Sequence, residues 1–216
     1  MAARNQTLDS PTVPNLPLPA TNYSQYTQDQ HNGLVRTFML KIANVLQALF
    51  GPFGGQYLDC PHGLFFNTAD QTFAAANTAY PVVFNQTYLS HGISKTDSSR
   101  ITIEVGGIYN IQYSGQMIST SGSAKTMYLW IRRNGTDIGY STRASTVDTN
   151  NHLTEITWSF DIDLDANEYV EMMVSASTTE VNLEAVAPTS PHVGIPSSVL
   201  TVNFIGPLPT TRPTPP

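Results

Sequence analysis

Between Arg100 and Ser175 apolar and polar residues alternate with a period of two, a pattern that fits strands with one buried side and excludes a long helix. Ile101, Ile103 and Val105 oppose Thr102 and Glu104, and after Gly106-Gly107 the alternation resumes with Tyr109, Ile111 and Tyr113 against Asn110, Gln112 and Ser114. The spacing predicts one hairpin there. Met127, Leu129 and Ile131 carry the same period into Asn134-Gly135, a dipeptide suited to a two-residue turn because both central positions need positive φ. The strand is expected to return through Ile138 and Tyr140. Ile156, Trp158, Phe160, Ile162 and Leu164 then oppose Thr157, Ser159, Asp161 and Asp163, and Asp165-Ala166-Asn167 predicts a turn into Val170, Met172 and Val174. Strands with one apolar side each need a second layer, so the expected class is all-β.

The rest of the chain divides around this stretch. Leu64 to Phe73 and Tyr80 to Phe84 read as opening strands, Val181, Leu183 and Ala185 as a late one, and Leu200, Val202 and Phe204 as the last, ended by Gly206-Pro207. That gives a β domain over residues 64–206 and a proline-rich tail over 207–216. Residues 1–31 are rich in Pro, Asn, Gln, Ser and Thr and form an extended arm. Over residues 32–51, Leu34, Phe38, Ile42, Val45 and Leu49 recur at helical period, with Arg36, Thr37, Lys41, Asn44 and Gln47 on the other side. One amphipathic helix is expected, stopped by Gly51-Pro52, and residues 52–63 form a connector. The helix either packs on its own domain or bundles with symmetry mates.

Hydrophobic residues are 40% of the chain, enough for a packed core, while charged residues are 12%, well below the roughly 25% of an ordinary soluble domain. The surface is therefore mostly neutral and polar. A net charge of -6 opposes a phosphate-binding surface, and only Arg132 and Arg133 are adjacent cations, so no nucleic-acid partner is expected. Cys60 stands alone and makes no internal disulfide. The first residues carry Pro11, Pro14, Pro17 and Pro19 without an apolar run, so no signal peptide is expected, and the sequons at Asn5, Asn22, Asn85 and Asn134 are read as chance. The helix is too short and too charged to span a membrane.

No constellation for chemistry emerges. Cys60 and His62 fall short of the four ligands of a structural zinc. Asp161, Asp163 and Asp165 invite a calcium loop, but Ala166 and Met172 occupy the places where the helix-loop-helix motif wants Gly and Glu, and strand alternation accounts for all three. His31, His62, His91, His152 and His192 are scattered. The chain is expected to be no enzyme and to hold no metal or cofactor. Tyr109, Tyr113, Tyr128, Trp130 and Tyr140 fit either a sugar platform or a core and subunit interface, and their large apolar areas favour the latter.

Four segments carry a family likeness in order: Ile101-Thr-Ile-Glu-Val-Gly-Gly-Ile-Tyr-Asn-Ile-Gln-Tyr113, Leu129-Trp-Ile-Arg-Arg-Asn-Gly135, Leu164-Asp-Ala-Asn-Glu-Tyr-Val170 and Leu200-Thr-Val-Asn-Phe-Ile-Gly206. Together, over residues 64–206, they resemble the complement globular-head and tumour-necrosis-factor superfamily. Asn167 and Glu168 replace that family's usual Gly and Asp, so no ion site is carried over. The resemblance implies a jelly-roll β-sandwich that forms a homotrimer, with Leu34, Phe38, Val45, Leu49, Tyr109, Tyr113, Tyr128, Trp130 and Phe204 as candidate interface residues. In place of a collagen stalk stand a proline-rich arm and a helix, which look like the jelly-roll modules of tailed-phage virions. The expected function is a capsid cement or decoration protein, assembled into the virion in the host cytoplasm. It would be anchored to the major capsid protein or another virion protein through Pro11, Pro14, Leu16, Pro17, Leu18, Tyr23 and Tyr26. The alternative is a receptor-binding fibre or spike tip, with a ligand surface on Thr142–His152 and Pro188–Ser197. A secreted cytokine-like ligand is disfavoured for want of a signal peptide.

Overall fold

Which neighbour each alternating strand meets decides the architecture. The computed structural model describes residues 14–15, 22, 24–50 and 60–209, in two compact units, Met1–Asp59 and Cys60–Pro216.

In the first unit, α1 (Gln25–Phe50) begins well before the expected start near Asn32. Ser24 caps it: its hydroxyl accepts the Thr27 N–H at 3.5 Å and its carbonyl the Gln28 N–H at 3.0 Å. Bonds one turn apart, Gln30 Nε2 to Tyr26 Oη at 2.7 Å and Gln28 Nε2 to Asn32 Oδ1 at 3.2 Å, support the turns ahead of Gly33. Tyr26, expected in the extended arm, is therefore helical. Pro14 lies in irregular chain, while Pro11, Leu16, Pro17, Leu18 and Tyr23 lie outside the described residues. His31, Val35, Phe38, Ile42, Val45 and Leu49 are half-buried, and their spacing alternates between four and three, the repeat of a coiled-coil seam. Val35 joins this seam where Leu34 was expected, and Leu34, Met39 and Leu46 flank it at 39%, 57% and 47% exposure.

In the second unit every strand pairing is antiparallel. The strands are β1 (His62–Asn67), β2 (Tyr80–Pro81), β3 (Gln86–His91), β4 (Ile93–Lys95), β5 (Ile101–Ile103), β6 (Gly107–Ser119) and β7 (Lys125–Arg133). They continue as β8 (Thr136–Asp137), β9 (Arg143–Val147), β10 (Leu153–Leu164), β11 (Tyr169–Ala176), β12 (Val181–Leu183) and β13 (Ser198–Gly206). The first sheet runs β10-β6-β13-β1-β3, with β12 also on β6; the second runs β4-β5-β11-β7-β8, with β2 on β11 and β9 on β7. Inward side chains of both sheets, Tyr109, Ile111 and Leu200 from one and Met127, Leu129 and Ile131 from the other, form one core. The result is an all-β sandwich, as the alternation predicts. Each fully buried side chain of this size contributes about 1.5–3 kcal/mol.

The connections differ from those expected. β5 belongs to the second sheet and β6 to the first, so Gly106-Gly107 carries the chain across the sandwich and closes no hairpin. Asp165-Ala166-Asn167 likewise takes it from β10 to β11 in the opposite sheet. Among the expected turns, Asn134-Gly135 is the hairpin, with φ of 47° and 82°. The returning strand ends at Asp137 and does not reach Tyr140. An inter-sheet arch and a hairpin leave the same alternation behind them, because the period reports the buried side and not the bonded neighbour.

Tyr109 and Tyr113 are corrections to the expected subunit interface. At 0% and 2% exposure they point inward from β6, with Tyr109 Oη donating to the Val105 carbonyl at 2.5 Å and Tyr113 Oη 3.0 Å from Ser198 Oγ. Burial pushes the Tyr109 phenol up to about 12 and raises that of Tyr113 as well. Phe204 meets Tyr109 edge-on, ring centroids 5.5 Å apart, and is packed partly into the same core.

Candidate functional site

The alternation of β7 builds the site. With Met127, Leu129 and Ile131 in the core, Tyr128, Trp130 and Arg132 stand on the outer side of the second sheet. The Asn134-Gly135 turn sets Asp137 opposite Arg132, whose Nε donates to Asp137 Oδ1 at 2.8 Å. Beyond Asp137 the ladder is interrupted. The Ile138 N–H still reaches the Ile131 carbonyl at 3.0 Å, and then the buried Ser141 hydroxyl takes over. It accepts the Ile131 N–H at 3.3 Å and donates to the Ile138 carbonyl at 2.7 Å. Held at both points, the chain throws Tyr140 outward at φ 58° and 95% exposure. A bulky residue persists at positive φ only where its surroundings impose it. β9 then rejoins β7 from Arg143.

Between these elements lies an open cleft of about 370 Å³, lined by Tyr128, Trp130, Asp137, Tyr140, Thr142 and Ser175 among others. The Arg132 hydrogen bond, helped by one from Trp130, holds the Asp137 carboxyl below its ordinary 3.8 despite partial burial. Along the same face Glu171, 7% exposed, sits opposite Arg132 in β11. It accepts the Ser99 hydroxyl at 2.8 Å and lies 3.5 Å from Arg100 Nε. The Arg100 guanidinium in turn covers the Tyr169 ring at 4.7 Å. Asp97 accepts the N–H groups of Ser99 and Arg100 at 2.8 and 2.9 Å, and those two bonds lower its carboxyl pKa. The face is therefore a row of alternating charges beside an aromatic cleft.

Because Asp97 and Asp137 have depressed folded-state pKa values, their stabilisation is present above 3.8 and is lost as pH falls through the depressed values. Both side chains are about half exposed, at 46% and 52%, so each contributes less than about 1 kcal/mol. Thermal unfolding followed from neutral pH to below 3.8 is expected to show a falling midpoint, with a smaller fall in an Asp97→Asn, Asp137→Asn double variant. Equal falls in both proteins would contradict this account.

The acidic run before the β10–β11 connection has its own partner. Arg133 lies 2.5 Å from Glu168 Oε2 and 3.9 Å from carboxylate oxygens of both Asp163 and Asp165, while Asp161 accepts from Asn110 Nδ2 at 2.6 Å. The Arg133 guanidinium thus offsets part of the negative charge of this run. Among the described residues no three His, Cys, Asp or Glu side chains are spaced to hold a metal, and no helix is long and apolar enough to cross a membrane. A larger groove of about 850 Å³ runs on the first sheet beside the segment 185–196, lined mainly by Leu64, Phe66, Pro188, Ile195 and Val199. Its Asp70 carboxylate is engaged by the Ala185 N–H at 2.8 Å, so the groove offers mostly apolar contact.

Of the expected site residues, the fold brings Tyr128 and Trp130 together on one outer face and sends Tyr109, Tyr113 and Phe204 to the core side. Leu34, Phe38, Val45 and Leu49 lie on α1 in the other unit. Sequence reasoning missed Asp137, Ser141 and Glu171. The one available signal was Tyr140 between Gly139 and Ser141, an aromatic residue beside a glycine in the segment that follows the Asn134-Gly135 hairpin. Compared with known proteins, the chain matches no family model and no curated sequence.

Proposed function

We propose that this chain is a non-enzymatic virion structural protein. In this reading it is a jelly-roll β-sandwich that forms a homotrimer and attaches, through the residues ahead of α1, to the capsid of a tailed phage as a cement or decoration protein. The observation that carries the reading is the seam on α1, where apolar residues follow a coiled-coil repeat and are flanked by exposed Leu34, Met39 and Leu46. Such a stripe gains by meeting copies of itself. The crossing of the chain between two antiparallel sheets supports the jelly roll, and the likeness of four segments to the tumour-necrosis-factor superfamily supplies the number three. Three arms on one particle add their binding through a high effective concentration, so a modest contact per arm suffices.

Light scattering of the full chain is expected to give about 71 kDa, three times its 23.6 kDa. Removing residues 1–23, which leaves the Ser24 cap in place, is expected to preserve that mass and abolish binding to the particle. A monomer at all concentrations sinks the trimer, and a truncated trimer that still binds sinks the anchoring role of the arm. The second reading, a receptor-binding fibre or spike tip, is favoured by the exposed segment within Pro188–Ser197, where Val193 is 83% exposed. Binding of the isolated chain to host cells would select it over cementing.

A further inference from the structure

We propose that the cleft between Tyr128, Trp130 and Tyr140 is a saccharide-binding site that takes a neutral pyranose ring. Aromatic faces carry negative charge density, and the C–H-bearing face of a pyranose is apolar with weakly positive hydrogens, so the two stack. Here Tyr140 stands at the rim at 95% exposure, and Tyr128 is 40% exposed on the neighbouring strand. A ring lying against them meets Asp137. Its carboxylate is already oriented by Arg132 Nε at 2.8 Å, so its remaining acceptor sites need little reorganisation to take sugar hydroxyls. Thr142 and Ser175 complete the lining with hydroxyls that donate or accept. A cleft of about 370 Å³ falls at the small end of ligand sites and fits a terminal ring better than a folded partner.

The electrostatics choose among sugars. Among the described residues that line the cleft Asp137 is the one charged side chain, and the Arg132 beside it is paired with Asp137 and stands opposite Glu171, so the lining itself presents no cation to an acidic sugar. A carboxylate-bearing ring would be repelled. The geometry also explains the strain at Tyr140: the Ser141 hydroxyl, by replacing a ladder rung, fixes the outward turn that presents the ring. Ser141 is therefore a positioning residue, and Tyr128, Tyr140 and Asp137 are the contacts. This adds a recognition activity to the structural role and fails separately from it, because trimer mass and sugar signal are different measurements.

The test is saturation-transfer NMR on the full chain with D-glucose, D-galactose, D-mannose, N-acetyl-D-glucosamine and N-acetylneuraminate as probes. The expected result is transfer to ring protons of at least one neutral sugar. Binding weakens by about tenfold or more in Tyr140→Ala and Asp137→Asn. Tyr88→Ala, which removes a comparably exposed tyrosine from β3, leaves it unchanged. Transfer to none of the four neutral sugars overturns the proposal, as does transfer indifferent to Tyr140→Ala and Asp137→Asn, or a preference for N-acetylneuraminate. A Tyr128→Ala variant that keeps its fold by circular dichroism but drops from trimer to monomer mass also overturns it, since the cleft is then a subunit contact.

Discussion

Replacing Val35 and Ile42 together by Asp is expected to lower the mass in solution from about 71 kDa to the 23.6 kDa of a single chain, with the β-sandwich still folded. Both residues sit in the four-three seam of α1, so in a bundle of copies each would place carboxylates close to those of its neighbours. Burying an unpaired carboxylate costs several kcal/mol, and His31, the one titratable side chain of the seam, can pair with at most one of the two new carboxylates of each chain. The sandwich lies in the other unit and should keep its near-ultraviolet circular dichroism, which distinguishes dissociation from unfolding. A control with Arg36→Asp, on the opposite side of the helix, is expected to remain trimeric. If the Val35, Ile42 double variant keeps its mass, the seam is not the trimer contact.

The second large effect is expected at Gly107→Ala. A Cβ built on Gly107 falls onto the Phe204 ring and 2.9 Å from the Gly206 carbonyl oxygen, and the backbone on one side of it is held between β6 and β13. Phe204 must then rotate away from its edge-on contact with Tyr109, or the end of β13 must shift. Either response costs on the order of 1–3 kcal/mol, read as a lower denaturant midpoint with little change in slope. Gly122→Ala, where an added Cβ meets nothing within 4 Å, is the matched control and should leave the midpoint in place. Equal midpoints for the two variants would show that the β6–β13 end is looser than its geometry implies.

The buried side of each strand was readable from the sequence because alternation and burial have the same physical cause. Ile156, Trp158, Ile162 and Leu164 all point inward as their spacing predicts. Strand partners were not readable, for the alternation through Gly106-Gly107 is the same whether the chain folds back or crosses to the other sheet. Asn134-Gly135 was legible because a two-residue turn makes a chemical demand, positive φ at both positions, that few residues meet. The aromatic residues split by side. Tyr109 shares its side with Ile111, while Tyr128 lies opposite Met127, Leu129 and Ile131, so the alternation itself assigns one to the core and the other to the outside. The early start of α1 was hidden by Gly33, whose helix cost of about 1 kcal/mol is offset by the Ser24 cap and polar bonds one turn apart. The cleft escaped because its floor depends on Ser141 standing in for a backbone rung, an exchange that no periodicity records.

β1 and β13 are antiparallel neighbours, with His62 opposite Asn203 and Asn67 opposite Ser198, so the chain enters and leaves the sandwich at the same pole. Tension applied between those two ends would separate the pair like a zipper, one hydrogen bond at a time. Tension transmitted from the entry side against a grip on the far pole would instead shear the β1–β13 ladder, loading its bonds in parallel. A tether at one end with the opposing grip on the far pole thus loads the fold in its mechanically resistant direction.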